Sequence, residues 1–146
     1  MILKAIQQDG SLSQRELAKK VNLSANACWN RVQALKQSGV ILGQSARLDR
    51  KALGLGLVVF VMVRTRHHSA EWLDTFRAHV SRIPQVIDFF RIGGDYDYLL
   101  KVVTSDMESY DQVYQRLISE VELDSITSYF AMEAIEEQRP LPIFSP

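Results

Sequence analysis

The sequence predicts an α+β protein in two parts: an N-terminal (winged) helix-turn-helix, then a C-terminal βαββαβ sandwich. Three observations carry this expectation. Residues 11–39 read as two short helices across a tight turn. Residues 57–135 alternate strand-like and helix-like patterns. Charge also divides along the chain. Of 17 basic and 17 acidic residues, the first 51 positions hold nine basic against three acidic, a net +6, so the remainder carries −6.

Residues 1–8 show a short helical pattern through Ile2, Leu3 and Ile6, stopped at Asp9-Gly10. Ser13 and Glu16 have the spacing of a capping box, in which a hydroxyl and a carboxylate each satisfy an amide that the helix start leaves open. A helix is therefore expected from Gln14. Residues 21–23 are a turn. Ser24 caps a second helix, which ends at Ser38-Gly39, where glycine takes a left-handed conformation without steric cost. Two helices across such a turn can place the second in a DNA major groove.

The faces of that second helix fit the role. Cys28, Val32 and Leu35 fall at i, i+4 and i+7 and make an apolar stripe for the core. Asn26, Trp29, Asn30, Gln33 and Gln37 occupy a neighbouring face, and the amides among them offer both donors and acceptors to base edges. Arg31 and Lys36 flank them and reach phosphates. The candidate DNA-binding residues are thus Ser24, Asn26, Trp29, Asn30, Arg31, Gln33 and Lys36. The basic bias of the same half points to a polyanion partner, double-stranded DNA.

Residues 39–48 read as an extended segment, a wing or a strand leading out. Residues 49–56, with Gly54 and Gly56, read as a linker. Residues 57–63 are continuously apolar and rich in β-branched side chains, as in a strand buried on both faces. Ser69 caps a helix with the stripe Trp72, Leu73, Phe76, Val80 and Ile83, and Pro84 ends it. Residues 86–92 and 98–103 are strands joined through Gly93-Gly94-Asp95. A second capping box, Ser105 with Glu108, opens a helix whose stripe is Tyr110, Val113, Tyr114, Leu117 and Val121. Residues 125–135 are the last strand, with Glu133, Glu136 and Glu137 at or just beyond its solvated end.

That order is the ferredoxin-like split βαβ, with both helices on one face of an antiparallel sheet. The first strand has little polar face, so a second subunit is expected over the other side. The expected organisation is a helix-turn-helix domain at 1–48, a linker at 49–56, an effector-binding and oligomerisation domain at 57–140 and a loose tail at 141–146.

Composition narrows the function. A hydrophobic share of 47% supports packed cores. No run is long and apolar enough to span a bilayer, and no signal pattern opens the chain, so no membrane partner is expected. The one cysteine, Cys28, cannot form an internal disulfide and sits on the apolar helix face, which fits a buried hydrophobe in a cytoplasmic protein. His67 and His68 are adjacent after a strand, so they point opposite ways and chelate poorly; no metal is expected. No Ser/His/Asp, Cys/His or zinc spacing occurs elsewhere, so neither enzymatic activity nor a cofactor is expected.

Several short words occur in order along the chain: Arg15-Glu16-Leu17-Ala18, the run from Ser24 to Leu35 with Cys28, Arg31 and Val32, Leu53-Gly54, Gly94-Asp95-Tyr96-Asp97-Tyr98-Leu99, and Asp106-Met107. Through them the sequence resembles the Lrp/AsnC family of feast/famine transcription regulators over nearly its whole length. The resemblance implies a DNA-binding domain followed by a ferredoxin-like domain. The latter dimerises, assembles further, commonly to octamers, and binds a small amino acid between subunits. Two departures stand out: members usually carry further residues before the first helix, and prolines common near the recognition-helix start are replaced by Ala25 and Ala27. The C-terminal half resembles a subgroup that activates cysteine-degrading genes in response to cysteine. The resembling words are Gly54-Leu55-Gly56-Leu57, His67-His68-Ser69 with Glu71-Trp72, Asp95 to Tyr98, and Phe130-Ala131-Met132-Glu133.

The turn Gly93-Gly94-Asp95-Tyr96-Asp97 is the candidate effector site. Adjacent glycines let backbone N–H groups face a carboxylate, and Asp95 or Asp97 can accept from an ammonium. On the residues alone an ordinary hairpin turn is the stronger reading, because Gly and Asp favour turns anyway. The family resemblance favours the ligand site and implies that Met107, Thr127, Ser128, Tyr129 and Phe130 lie near it. The expected function is a transcription regulator of amino-acid metabolism gated by a small amino acid, with cysteine the best candidate. The alternative is a ligand-independent architectural DNA-binding protein.

Overall fold

A computed structural model describes residues 1–144; positions 145 and 146 of the expected tail lie outside the described residues. The chain forms two compact units. Among the described residues one comprises Met1–Leu48 with residues 135–144, the other Asp49–Ala134.

The first unit holds α1 (Ile2–Gln8), α2 (Gln14–Lys20) and α3 (Ala25–Gln37). Ser13 and Glu16 make the full capping box: the Ser13 hydroxyl accepts from the Glu16 amide and the Glu16 carboxylate accepts from the Ser13 amide. Those hydrogen bonds from Ser13 hold the Glu16 carboxyl below its ordinary range. The turn passes through Asn22, whose φ of 54° is a conformation that asparagine tolerates better than most residues. The Ser24 hydroxyl accepts from the Ala27 amide, so α3 starts at Ala25 without a proline. Gly39, with φ 79°, ends the turn after α3. Cys28 is fully buried among Ile2, Ala5, Leu17, Ala18 and Val21. After Val40, residues 41–49 contain no regular secondary structure, so the expected wing has no strand partner among the described residues.

In the second unit β1 (Leu57–Arg64), β2 (Val86–Arg91), β3 (Tyr98–Thr104) and β4 (Ser125–Phe130) form one antiparallel sheet in the order β2-β3-β1-β4. Helices α4 (Ala70–Ser81) and α5 (Met107–Ser119) supply the βαββαβ connections. Both pack on one face: Phe76, Val80 and Ile83 with Val113 and Leu117 meet Val59, Val61, Val63, Leu100 and Val102. Trp72, Phe76, Phe89 and Tyr98 form an aromatic cluster there, with Trp72 and Phe76 centroids 4.9 Å apart.

Several sequence expectations shift. Burial along β1 alternates: Val59, Val61 and Val63 are fully buried, whereas Phe60 and Met62 are only partly covered. The helices cover one face only, so the apolar run reflects a second face that stays half open within the chain. The last strand ends at Phe130 and does not run to 135. Val59 pairs with Phe130, and the Ala131 amide donates to Val58 near the start of β1, so there is little partner strand left to extend against. Glu133, Glu136 and Glu137 therefore follow the sheet and are not part of it. Helix α5 is capped by Asp106, one residue later than expected. A carboxylate is the stronger acceptor for the Ser109 amide, and that bond lowers the Asp106 pKa.

The unit boundaries also differ from the expected ones. Residues 49–56 are a folded turn: the Asp49 carboxylate accepts from the Lys51 amide at 2.9 Å, and Arg50 donates to the Leu55 and Gly56 carbonyls. Residues 135–144 group with the first unit and not with the sheet. There the Gln7 side-chain amide donates to the Leu141 carbonyl at 3.1 Å and accepts from the Leu141 amide at 2.7 Å.

Candidate functional site

Helix α3 presents most of the expected DNA-contacting residues to solvent. Asn26, Asn30 and Gln37 recur at i, i+4 and i+11 and are exposed, as are Arg31 and Lys36. Two residues do other work as well. The Ser24 hydroxyl is engaged as the helix cap. Trp29 is 48% exposed and, with the partly buried Gln33, lines a groove with Ile6, Leu12, Leu17 and Val32. Trp29 thus packs the hairpin on one side while presenting an edge to solvent. The Gln14 side chain, which the sequence did not single out, donates to the Ala25 carbonyl at 3.3 Å and ties α2 to the start of α3. Among the described residues no helix is long and apolar enough to cross a membrane.

The loop between β2 and β3 carries the second candidate site. Gly93, Gly94 and Asp95 are exposed, and Gly94 has φ 120°, which disfavours any side chain there. The amides of Gly93, Gly94, Asp95 and Tyr96 have no hydrogen-bond acceptor among the described residues. The loop is anchored on β1. The Asp97 amide donates to the Val63 carbonyl at 2.8 Å, and Asp97 Oδ2 accepts from the Thr65 amide at 2.9 Å. Arg64 Nε donates to the Asp95 carbonyl at 2.6 Å, with its guanidinium carbon 5.0 Å from the Tyr96 ring centroid. The Tyr96 hydroxyl meets Thr127 Oγ1 at 3.0 Å on β4.

Asp97 therefore holds the loop in shape besides carrying charge. Thr65 is 3% exposed, so removing the carboxylate leaves a buried amide without a partner. Asp97→Ala is expected to destabilise the protein by about 1–3 kcal/mol in chemical denaturation. Asp97→Asn, which keeps an acceptor oxygen, should cost much less; equal destabilisation by the two would argue against this role.

The structure does not gather all the expected effector residues in one chain. Gly93 to Asp97 and Thr127 lie together at the end of the sheet where β1 finishes. Met107 opens α5 beyond the far end of β3, roughly 20 Å away at the rise of an extended strand. Phe130 and Ser128 point toward α5: Phe130 packs edge-on to Tyr110 at 5.5 Å, and the Tyr110 hydroxyl bonds Ser128 Oγ. Burial raises the Tyr110 pKa. Tyr129 stands on the opposite, open face and is more than half exposed. The sequence missed Arg64, Thr65 and Tyr110 as neighbours of these residues, because the pairings join positions 18 to 32 residues apart and leave no local pattern. His67 stacks on Trp72 and lies 3.7 Å from Glu122, an arrangement of the α4 approach and not of this loop.

Residues 58–141 match the family model described as the Lrp/AsnC ligand binding domain, and residues 1–41 match a winged helix-turn-helix DNA-binding model. The chain belongs to the Lrp/AsnC family. Its relatives are DNA-binding transcription regulators. The chain is 44% identical to the DNA-binding transcriptional activator DecR of Escherichia coli, over 97% of this chain and 94% of that protein. A crystal structure of an AsnC family transcriptional regulator from Agrobacterium tumefaciens superposes with a TM-score of 0.93 at 44% identity, covering 97% of this chain and 92% of the other. A transcriptional regulator from Neisseria meningitidis, solved in complex with L-methionine, superposes with a TM-score of 0.90 at 30% identity over the same shares.

Proposed function

We propose that this Lrp/AsnC chain regulates transcription of amino-acid metabolism genes and is gated by a small amino acid bound between subunits of a homo-oligomer. The observation that carries this reading is the division of the effector residues within one chain. The loop 93–97 and the Met107–Phe130 end lie at opposite ends of the sheet, so bringing both to one ligand requires a second copy. The open sheet face supports such an assembly. Cross-strand pairing places Phe60, Met62, Leu99, Phe90 and Tyr129 on that face, and Phe90 and Tyr129 are each 54% exposed. Lys101 and Asp88 are cross-strand partners among them, but apolar side chains predominate on this face, as they do at an interface. A dimer through these faces, assembling further to an octamer, covers it.

The methionine complex of the Neisseria relative supports an amino acid as the ligand class. Cysteine is the single best candidate here, on the resemblance of the C-terminal half to cysteine-responsive regulators. Gating requires that the ligand favour one assembly or domain arrangement; a factor of ten in that preference is about 1.4 kcal/mol of coupling.

The test is calorimetry on the reduced full-length protein with cysteine, serine, alanine and leucine, paired with light scattering. At least one should bind below millimolar and shift the assembly. Asp97→Asn, which keeps the loop's hydrogen bond while removing the charge, should lose that response and still bind DNA. If none of the four binds, the effector reading fails and a ligand-independent architectural role is favoured.

A further inference from the structure

We propose that Asp88 and Lys101 form a charge lock that selects which chains pair through the open sheet face: Asp88 of one copy meets Lys101 of the other, and only a chain with complementary charges fits. This rests on the reading of that face as the dimer interface. Among the described residues, strand pairing places one carboxylate on it, Asp88, and two cations, Lys101 and Arg64. Arg64 stands at the end of β1, where its Nε donates to the Asp95 carbonyl. Lys101 stands inside the sheet on β3, with Phe60 beside it on β1 and Asp88 on the edge strand β2. A break in the ladder puts Asp88 there. Regular pairing onward from Val86 and Val102 would set Ile87 opposite Lys101 and Asp88 opposite Leu100, on the face that the helices cover. The bulge between Val86 and Asp88 inserts one residue and turns the carboxylate onto the open face, opposite Lys101.

The two charges are not joined within one chain. Asp88 is exposed, Lys101 is partly covered, and no ion pair includes either among the described residues. A second sheet laid over the face takes both out of water. A charge buried there without a partner is strongly destabilising, whereas a buried pair is tolerated. Two-fold packing sets the same patch against itself, so each contact occurs twice and two lysines and two aspartates share one interface. Unlike charges then meet and like charges stay apart. Apolar contact alone would accept any related sheet of similar shape. The charges add a penalty against a sheet that lacks them or carries them reversed, which is how an interface tells its own copy from a relative.

The experiment uses full-length Lys101→Glu, Asp88→Lys and the double exchange. Circular dichroism checks folding, light scattering measures self-association, and native mass spectrometry of tagged and untagged chains counts mixed assemblies. Each single variant should self-associate about ten-fold or more weakly than wild type, because a like-charge contact replaces an attractive one. Mixed together, the two single variants should associate as wild type does, since each supplies the charge that the other lacks. The double variant should pair with itself and exclude wild type, and it carries the test if a single variant does not fold. Should the double variant mix freely with wild type, or the single variants fail to rescue one another, the charges act within one chain and the proposal is overturned. Single variants that self-associate like wild type overturn it as well. A wild type that is monomeric brings down the interface reading beneath it.

Discussion

Phe60→Asp is expected to yield a folded protein that no longer self-associates, whereas its neighbour Val61→Asp is expected to unfold the sheet unit. The two side chains point to opposite faces of β1, so one substitution series separates fold from assembly. Val61 is fully buried between the sheet and the helices, where a carboxylate finds neither water nor a partner. The cost is on the order of 4–5 kcal/mol, a large part of the stability of a small domain. Phe60 stands on the open face opposite Lys101 on β3 and Tyr129 on β4 and is only partly covered. An aspartate there stays solvated in a single chain and becomes buried only when a second sheet packs against it. Circular dichroism should report native structure for Phe60→Asp and its disappearance for Val61→Asp, and light scattering should report the drop in mass for the former. A wild type that is monomeric at micromolar concentration, or two variants that behave alike, would refute the proposed interface.

DNA affinity should fall steeply as salt rises, because each neutralised phosphate releases condensed counterions. Arg31 is exposed beside the amide-bearing face of α3 and has no ion-pair partner among the described residues. Arg31→Ala should weaken binding to specific and non-specific DNA alike and lower the salt slope by about one for each phosphate no longer neutralised. Asn30 lies at the centre of that face, and Asn30→Ala should instead relax preference at one base pair by about 1–3 kcal/mol while leaving the slope unchanged. Gln33 is a less clean probe, because it is partly buried in the groove that Trp29 lines. Titrations of a promoter fragment and a scrambled fragment at several salt concentrations distinguish these outcomes. Affinity that is independent of salt would remove the case for α3 as the reading helix.

Local chemistry determined much of this protein by itself. Ser13 with Glu16, Ser24 and Ser69 each cap the helix expected of them, because a hydroxyl or carboxylate beside open amides acts within a few residues. Apolar periodicity located both cores and the order βαββαβ, and the division of charge separated the two halves. Composition of the 93–97 turn favoured an ordinary hairpin, and it was the words along the chain, pointing to the family, that made it a candidate ligand site.

What the sequence left undecided depends on which elements meet. The face of β1 that is closed within one chain follows from where two helices pack, and an uninterrupted apolar run looks the same either way. The end of β4 is set by the length of its partner β1, far earlier in the chain, and so the strand stops at Phe130 although residues 131–135 remain compatible with extension. Asp97 reads as a free charge in the sequence; only the approach of Thr65, 32 residues away, makes it a structural acceptor. The same approach brings Arg64 to Asp95 and Tyr96. Caps and periodicity are short-range and survive as pattern, whereas strand length, face burial and the partners of a charged side chain are long-range pairings that tertiary packing alone decides.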